Sequence, residues 1–294
     1  MPNGLYILGD LGYTKVTIQS TKGAVYMAFI QCSYYSEVLG FTTSITVCLP
    51  QDIPNKKGGY SIPKDGFPVL YLLHGLGDDH TIWSRKCAID RYASTEGIAV
   101  VMPFAGRSFY TDMVHGSPYY TYISKELIAI AEKFFPLSQD PQKRFIGGLS
   151  MGGYGAFKIA LNNPDKFKGA FSLSGALDVT SLAKHSPVMD LSYDAHLVFG
   201  NTHALLESPH NLFSLASETN MSPVKPELYM CCGTEDFLYE DNKAFKKHLD
   251  TLDYNVVYHE GPGYHDFNYW DPEVQLAMKW ITQKLGGHTR ESNR

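Results

Sequence analysis

"RFIGGLSMGGYGAF", residues 144–157, decides how the rest of the chain is read. An apolar run enters Gly148-Leu149-Ser150-Met151-Gly152, and the helix-compatible "YGAFKIAL" follows at once. A serine flanked by glycines at two residues before and two after fits a tight strand-to-helix corner, the GxSxG nucleophile elbow. On such a corner the serine takes a strained backbone so that its hydroxyl stands clear of the sheet. The two glycines let neighbouring main chain pass without Cβ clashes. In a chain with 26 glycines the pattern alone is weak. The strand-turn-helix setting gives it weight, against the plainer reading of a Gly-rich packing turn.

Outward from this corner, strand-like runs lie at 43–49, 68–73, 98–102, 143–147, 169–173, 226–232 and 255–259. Most are continuously apolar, as in a sheet covered on both faces. Helical periodicity separates them. Ile123, Leu127, Ile130 and Phe134 share a face and stop at Pro136, and Val274, Met278, Ile281 and Leu285 follow an Asp271-Pro272 start. Alternating strands and helices predict an α/β fold with a doubly wound, mostly parallel sheet. Residues 27–288 form that domain. Within it, 175–224 is too long for a simple crossover and is expected to form a small insert or lid. Residues 1–26 read as an N-terminal extension and 289–294 as a tail.

Composition narrows the function. The 294-residue chain is 44% hydrophobic and 19% charged, within the range of folded globular proteins. A net charge of −5 and no basic run longer than that in Phe245-Lys246-Lys247-His248 argue against nucleic acid or an anionic membrane as partner. No stretch approaches the length of a membrane span, and the Gly- and Asp-containing N-terminus lacks the apolar core of a secretory signal. Five cysteines without a CxxC pair suggest a reducing compartment, read as the cytoplasm. A small-molecule substrate remains.

A serine hydroxyl needs a base, and the base needs a carboxylate to fix its tautomer. In this fold the order along the chain is serine, acid, histidine. His265, in "EGPGYHDFNYW", lies in a loop after the last strand and before the last helix, whereas His259 reads as a strand residue and His185, His203 and His210 fall in the insert. The acid is expected after "PELYMCC". Asp236 sits at the strand's C-terminal mouth; Glu235 competes, Asp178 is the fallback, and Glu240 and Asp241 read as helix-dipole acids. Backbone N–H groups of Met151 and Leu76 are the candidate oxyanion donors. His74 reads as a loop brace. Asp78-Asp79-His80 raises a metal site, but no ligand spacing follows it. The aromatic loops place Trp83, Tyr110 and Trp270 as substrate contacts, with Phe109, Tyr119 and Tyr120 nearby. No cofactor is required.

"YLLHGLGDDHTIW", "GLSMGGYGAFKIAL", "FSLSGALD", "CGTEDFLYEDN" and "PGYHDFNYW" resemble, in order, blocks of the esterase D family of α/β-hydrolases, in its branch of tributyrin, feruloyl and acetyl esterases. The resemblance spans about residues 27–285. It implies the α/β-hydrolase fold, a triad of Ser150, Asp236 and His265, oxyanion donors Leu76 and Met151, and hydrolysis of short-chain or hydroxycinnamoyl esters, acylated plant cell-wall oligosaccharides among them. Gly77-Asp78 departs from the "HGLTC" of S-formylglutathione hydrolases, which counts against that thioester role, and Arg107-Ser108-Phe109 replaces an Asn/Gly-rich stretch. Acyl transfer to an alcohol, as in mycolyltransferases, is the nearest rival, and a non-catalytic binding protein on the same fold is the rival of a different class.

Overall fold

The computed structural model describes residues 26–286 apart from 52, 55–59, 185–190, 201–204, 206–208 and 253, together with the backbone of the strands Leu5–Gly9 and Gly12–Val16. These two strands pair antiparallel in a ribbon of their own. Apart from Tyr26, the rest of the N-terminal extension lies outside the described residues, as do the C-terminal tail, His185 and His203.

Eight strands form the main sheet: β1 (Met27–Ser36), β2 (Phe41–Pro50), β3 (Val69–Leu73), β4 (Ala99–Pro103), β5 (Arg144–Leu149), β6 (Gly169–Leu173), β7 (Glu227–Gly233) and β8 (Val256–Gly261). Their order is β8-β7-β6-β5-β3-β4-β2-β1. Every pairing is parallel except the two made by β2. This is the α/β-hydrolase sheet that the sequence predicts.

The apolar strands are explained by burial on both faces. In β3, Val69, Tyr71 and Leu73 enter one core cluster, while Leu70 and Leu72 enter the other. Consecutive side chains point to opposite faces, so a strand covered by helices on both sides needs no polar alternation. One face is covered by α3 (Leu127–Phe134) and α4 (Met151–Asn162). The other is covered by α2 (Ile89–Glu96), after the short α1 (Ile82–Lys86), and by α9 (Phe267–Lys284).

Two boundaries differ from expectation. The last helix starts at Phe267, capped by the Asp266 carboxylate on the Asn268 and Tyr269 N–H groups. Pro272 therefore lies inside the helix, as its sixth residue, instead of opening it, and removes one N–H from the ladder. The insert is also shorter than expected. Helices α5 (Val179–Lys184) and α6 (Ser192–Phe199) belong to it, but α7 (Leu212–Asn220) packs against α4 and against α8 (Tyr239–Thr251), as a crossover helix does.

Candidate active site

Ser150 is the single residue between β5 and α4, with φ 53° and ψ −119°. Such a conformation is costly for a residue with a Cβ and persists only where its surroundings hold it. Here the serine N–H donates to Leu173 O at 2.9 Å, and its carbonyl accepts from Tyr154 and Ala176, each at 3.1 Å. The glycines serve close approach. A Cβ on Gly148 would meet Gly152 backbone carbon at 2.6 Å, and one on Gly152 would meet Leu73 O at 2.6 Å.

Three loops at the C-terminal ends of β5, β7 and β8 bring the hydroxyl, carboxylate and imidazole together. Ser150 Oγ lies 3.0 Å from His265 Nε2, and His265 Nδ1 lies 2.8 and 3.0 Å from the two Asp236 oxygens. The Asp236 side chain is fully buried and also accepts the Leu238 N–H at 2.9 Å. The neighbouring loops are fastened directly: Thr234 N–H donates to Gly261 O at 2.9 Å, Glu235 N–H to Gly263 O at 3.1 Å, and Gly263 N–H to Glu235 Oε2 at 2.6 Å. Phe237 and Trp270 flank the imidazole, with ring centroids 4.6 and 4.8 Å away. An ionised Asp236 favours the tautomer with hydrogen on Nδ1, leaving Nε2 free to accept the serine proton.

Beside this chain lies a mostly apolar cavity of about 300 Å³. Ser150, Leu76 and Met151 all line it, as do Phe109, Leu191 and Phe237. Met151 is the first residue of α4, where N–H groups have no partner within the helix. On the Leu76 side, buried His74 braces the loop. Its Nδ1–H donates to Gly75 O at 2.7 Å, and its Nε2 accepts the Ala105 N–H at 2.9 Å. Because a trans peptide sets C=O and N–H in opposite directions, holding the Gly75 carbonyl also holds the Leu76 N–H. Burial lowers the His74 pKa to about 4, which keeps the acceptor nitrogen unprotonated near neutrality.

The sequence-derived substrate contacts divide. Trp270 lines the cavity. Trp83 and Tyr110 do not: both are fully buried, with the Trp83 indole N–H on Leu73 O and the Tyr110 hydroxyl on His74 O. A large ring near the strand ends is as useful for supporting the main chain there as for meeting a ligand, and these two support it. Among the other acids, Asp178 binds Thr180 and Ser181 at the start of α5, while Glu240 and Asp241 occupy the first turn of α8. His259 is in β8, near the Tyr229 hydroxyl. Asp79 binds Thr81 and Arg85, and His80 meets Thr46, so the Asp78-Asp79-His80 run does not converge. Among the described residues no group of three or more His, Cys, Asp or Glu side chains could hold a metal ion.

Leu191, Ala176 and Phe237 also line the cavity and were not singled out from the sequence, and Asp78, which the sequence raised only as part of a metal candidate and as a departure from "HGLTC", lines it too. Adjacency to Asp236 could have drawn attention to Phe237. Leu191 gave no local signal, because its position depends on how the insert folds back.

A serine elbow, an imidazole and a carboxylate at the mouth of this sheet define the class of α/β-hydrolases with a serine nucleophile. The Esterase family model matches residues 36–281, and the chain belongs to that family, esterase D-like in its relatives. An acetyl esterase of Caldicellulosiruptor saccharolyticus is 32% identical over 263 residues, covering 87% of this chain and 99% of that protein. Among solved structures, the Staphylococcus aureus fluorophosphonate-binding serine hydrolase FphF has a TM-score of 0.78 and 33% identity, covering 87% of this chain and 98% of its own. The S-formylglutathione hydrolase FrmB of the same organism gives 0.77 and 34%, with 87% and 99% covered. The protein is a serine hydrolase of the esterase kind. No helix among the described residues is long and apolar enough to cross a membrane.

Proposed function

We propose that the protein is a carboxylesterase that hydrolyses short-chain acyl esters of small alcohols through an acyl-enzyme. The observation that carries this reading is the hydrogen-bonded chain Ser150–His265–Asp236 at the edge of a small apolar cavity. In the first step Ser150 Oγ bonds to the ester carbonyl carbon while His265 Nε2 takes the hydroxyl proton. The Leu76 and Met151 N–H groups stabilise the oxyanion. Collapse breaks the bond to the alcohol oxygen, which receives that proton from His265. Water then attacks the acyl-enzyme with His265 again as base, releasing the acid and restoring Ser150.

A cavity of about 300 Å³ stands at the small end of ligand pockets, which favours acetyl through butyryl groups over hydroxycinnamoyl ones. The acetyl esterase relative supports the same choice. A cytoplasmic setting is supported by five free cysteines, two of them adjacent. Thioester hydrolysis is the second reading, favoured by the 34% identity to FrmB.

The test compares p-nitrophenyl acetate, butyrate and octanoate, methyl ferulate, acetylated xylo-oligosaccharides and S-formylglutathione. The short p-nitrophenyl esters are expected to be turned over fastest, and Ser150→Ala to abolish turnover with folding intact. Unchanged p-nitrophenyl acetate hydrolysis by that variant would reject the assignment, and a dominant rate on S-formylglutathione would favour the second reading.

A further inference from the structure

The cavity continues outward into an open, more polar groove of about 770 Å³, and Asp78, His265 and Trp270 line both. This groove lies on the side of His265, which hands the proton to the departing oxygen. The groove therefore offers the alcohol half of the substrate a way out. Its charged groups are not equivalent. Lys86 lines it as a cation beside the carboxylates of Asp78, Asp266 and Asp271; Asp266 caps α9, Asp271 accepts the Tyr92 hydroxyl at 2.8 Å, and Asp79, next in sequence to Asp78, is engaged by Thr81 and Arg85. The Asp78 carboxylate has no hydrogen-bond or ion-pair partner among the described residues. Burial pushes its pKa up, outweighing the opposing pull of the nearby Arg85 and Lys86 charges. Phe267 and Trp270, 5.2 Å apart and edge-to-face, line the same groove.

Building on the esterase reading, we propose that Asp78 determines specificity for the alcohol half, selecting esters whose alcohol carries an ammonium group and rejecting those that carry a carboxylate. A half-buried carboxylate and aromatic rings lining one groove are the groups that recognise ammonium, through charge and through the rings. A carboxylate-bearing leaving group, such as a peptide thiol of the glutathione type, meets like charge in the same place.

The test uses acetylcholine and its uncharged isostere 3,3-dimethylbutyl acetate, which share the acyl group and shape. In the wild type, kcat/KM for the cationic ester is expected to exceed that for the isostere by about three- to tenfold, a charge-assisted contact reduced by solvent screening. Asp78→Asn brings the ratio near one. Asp79→Asn, which removes the same charge one residue away, keeps the wild-type ratio. In the wild type, choline also inhibits p-nitrophenyl acetate hydrolysis more strongly than 3,3-dimethylbutan-1-ol, a readout that needs no variant. A wild-type ratio near one, a ratio unchanged in Asp78→Asn, or an equal loss in Asp79→Asn overturns the assignment. If the wild type hydrolyses neither these esters nor p-nitrophenyl acetate, the esterase reading itself fails.

Discussion

The backbone of Ser150, at φ 53° and ψ −119°, stores strain that a glycine would not carry. Ser150→Gly is accordingly expected to melt above Ser150→Ala, since both lose the hydroxyl but only glycine relieves the backbone, a cost of about 1–3 kcal/mol. Calorimetry of the two inactive variants measures this, and a lower melting point for the glycine variant would count against the strain. The acid can be tested alone. Asp236→Asn is expected to lower kcat by about 10³- to 10⁴-fold through loss of the correct tautomer. Glu235→Gln, which replaces a carboxylate that binds the Gly263 amide and Thr234 but not His265, should retain most of kcat, and similar losses in the two variants would remove Asp236 from its role. His74 provides a pH signature. Its folded pKa, about 4, lies below its ordinary 6.5, so between these values the unfolded chain binds more protons and stability falls as the pH falls. The loss is on the order of 3 kcal/mol across that window. His74→Asn cannot titrate, so its unfolding free energy should decline less between pH 6.5 and 4.5; parallel declines would contradict the brace.

At the scale of elements, the corner works because β3, β5 and α4 meet almost backbone to backbone. Gly148→Ala or Gly152→Ala places a Cβ 2.6 Å from main-chain atoms that cannot turn aside, and a loss of about 3 kcal/mol or more is expected in denaturant unfolding. The contacts of these glycines were legible in the sequence because the corner's geometry is local. Strands β3 to β7 were legible because burial on both faces writes itself as an uninterrupted apolar run. The start of α9 was not: Asp266 and Pro272 both carry start signals, and only packing of Phe267, Tyr269 and Trp270 decides between them. Nor could the sequence tell that Trp83 and Tyr110 turn inward to Leu73 and His74. That choice depends on which backbone carbonyls the fold leaves to be satisfied. The insert's Leu191 walls the cavity, so Leu191→Ala should shift the kcat/KM preference from acetyl toward longer p-nitrophenyl esters; an unchanged chain-length profile would remove the insert from acyl selection.

For the whole molecule, the parallel sheet does what no single segment can. Residues 150, 236 and 265 converge because β5, β7 and β8 end on the same side, and their loops carry Ser150, Asp236 and His265 to one mouth. The chain order of the three, and the strand after which each falls, were readable from sequence. The distances depend on the register of pairing across the sheet and on the backbone bonds that fasten the acid loop to the histidine loop. The most direct measurement of the central claim is intact-mass and peptide mapping after incubation with a fluorophosphonate. One adduct, mapped to Ser150, should form rapidly in the wild type and at a rate reduced by orders of magnitude in His265→Ala. An adduct on another residue, or equal labelling rates in the two proteins, would contradict the account.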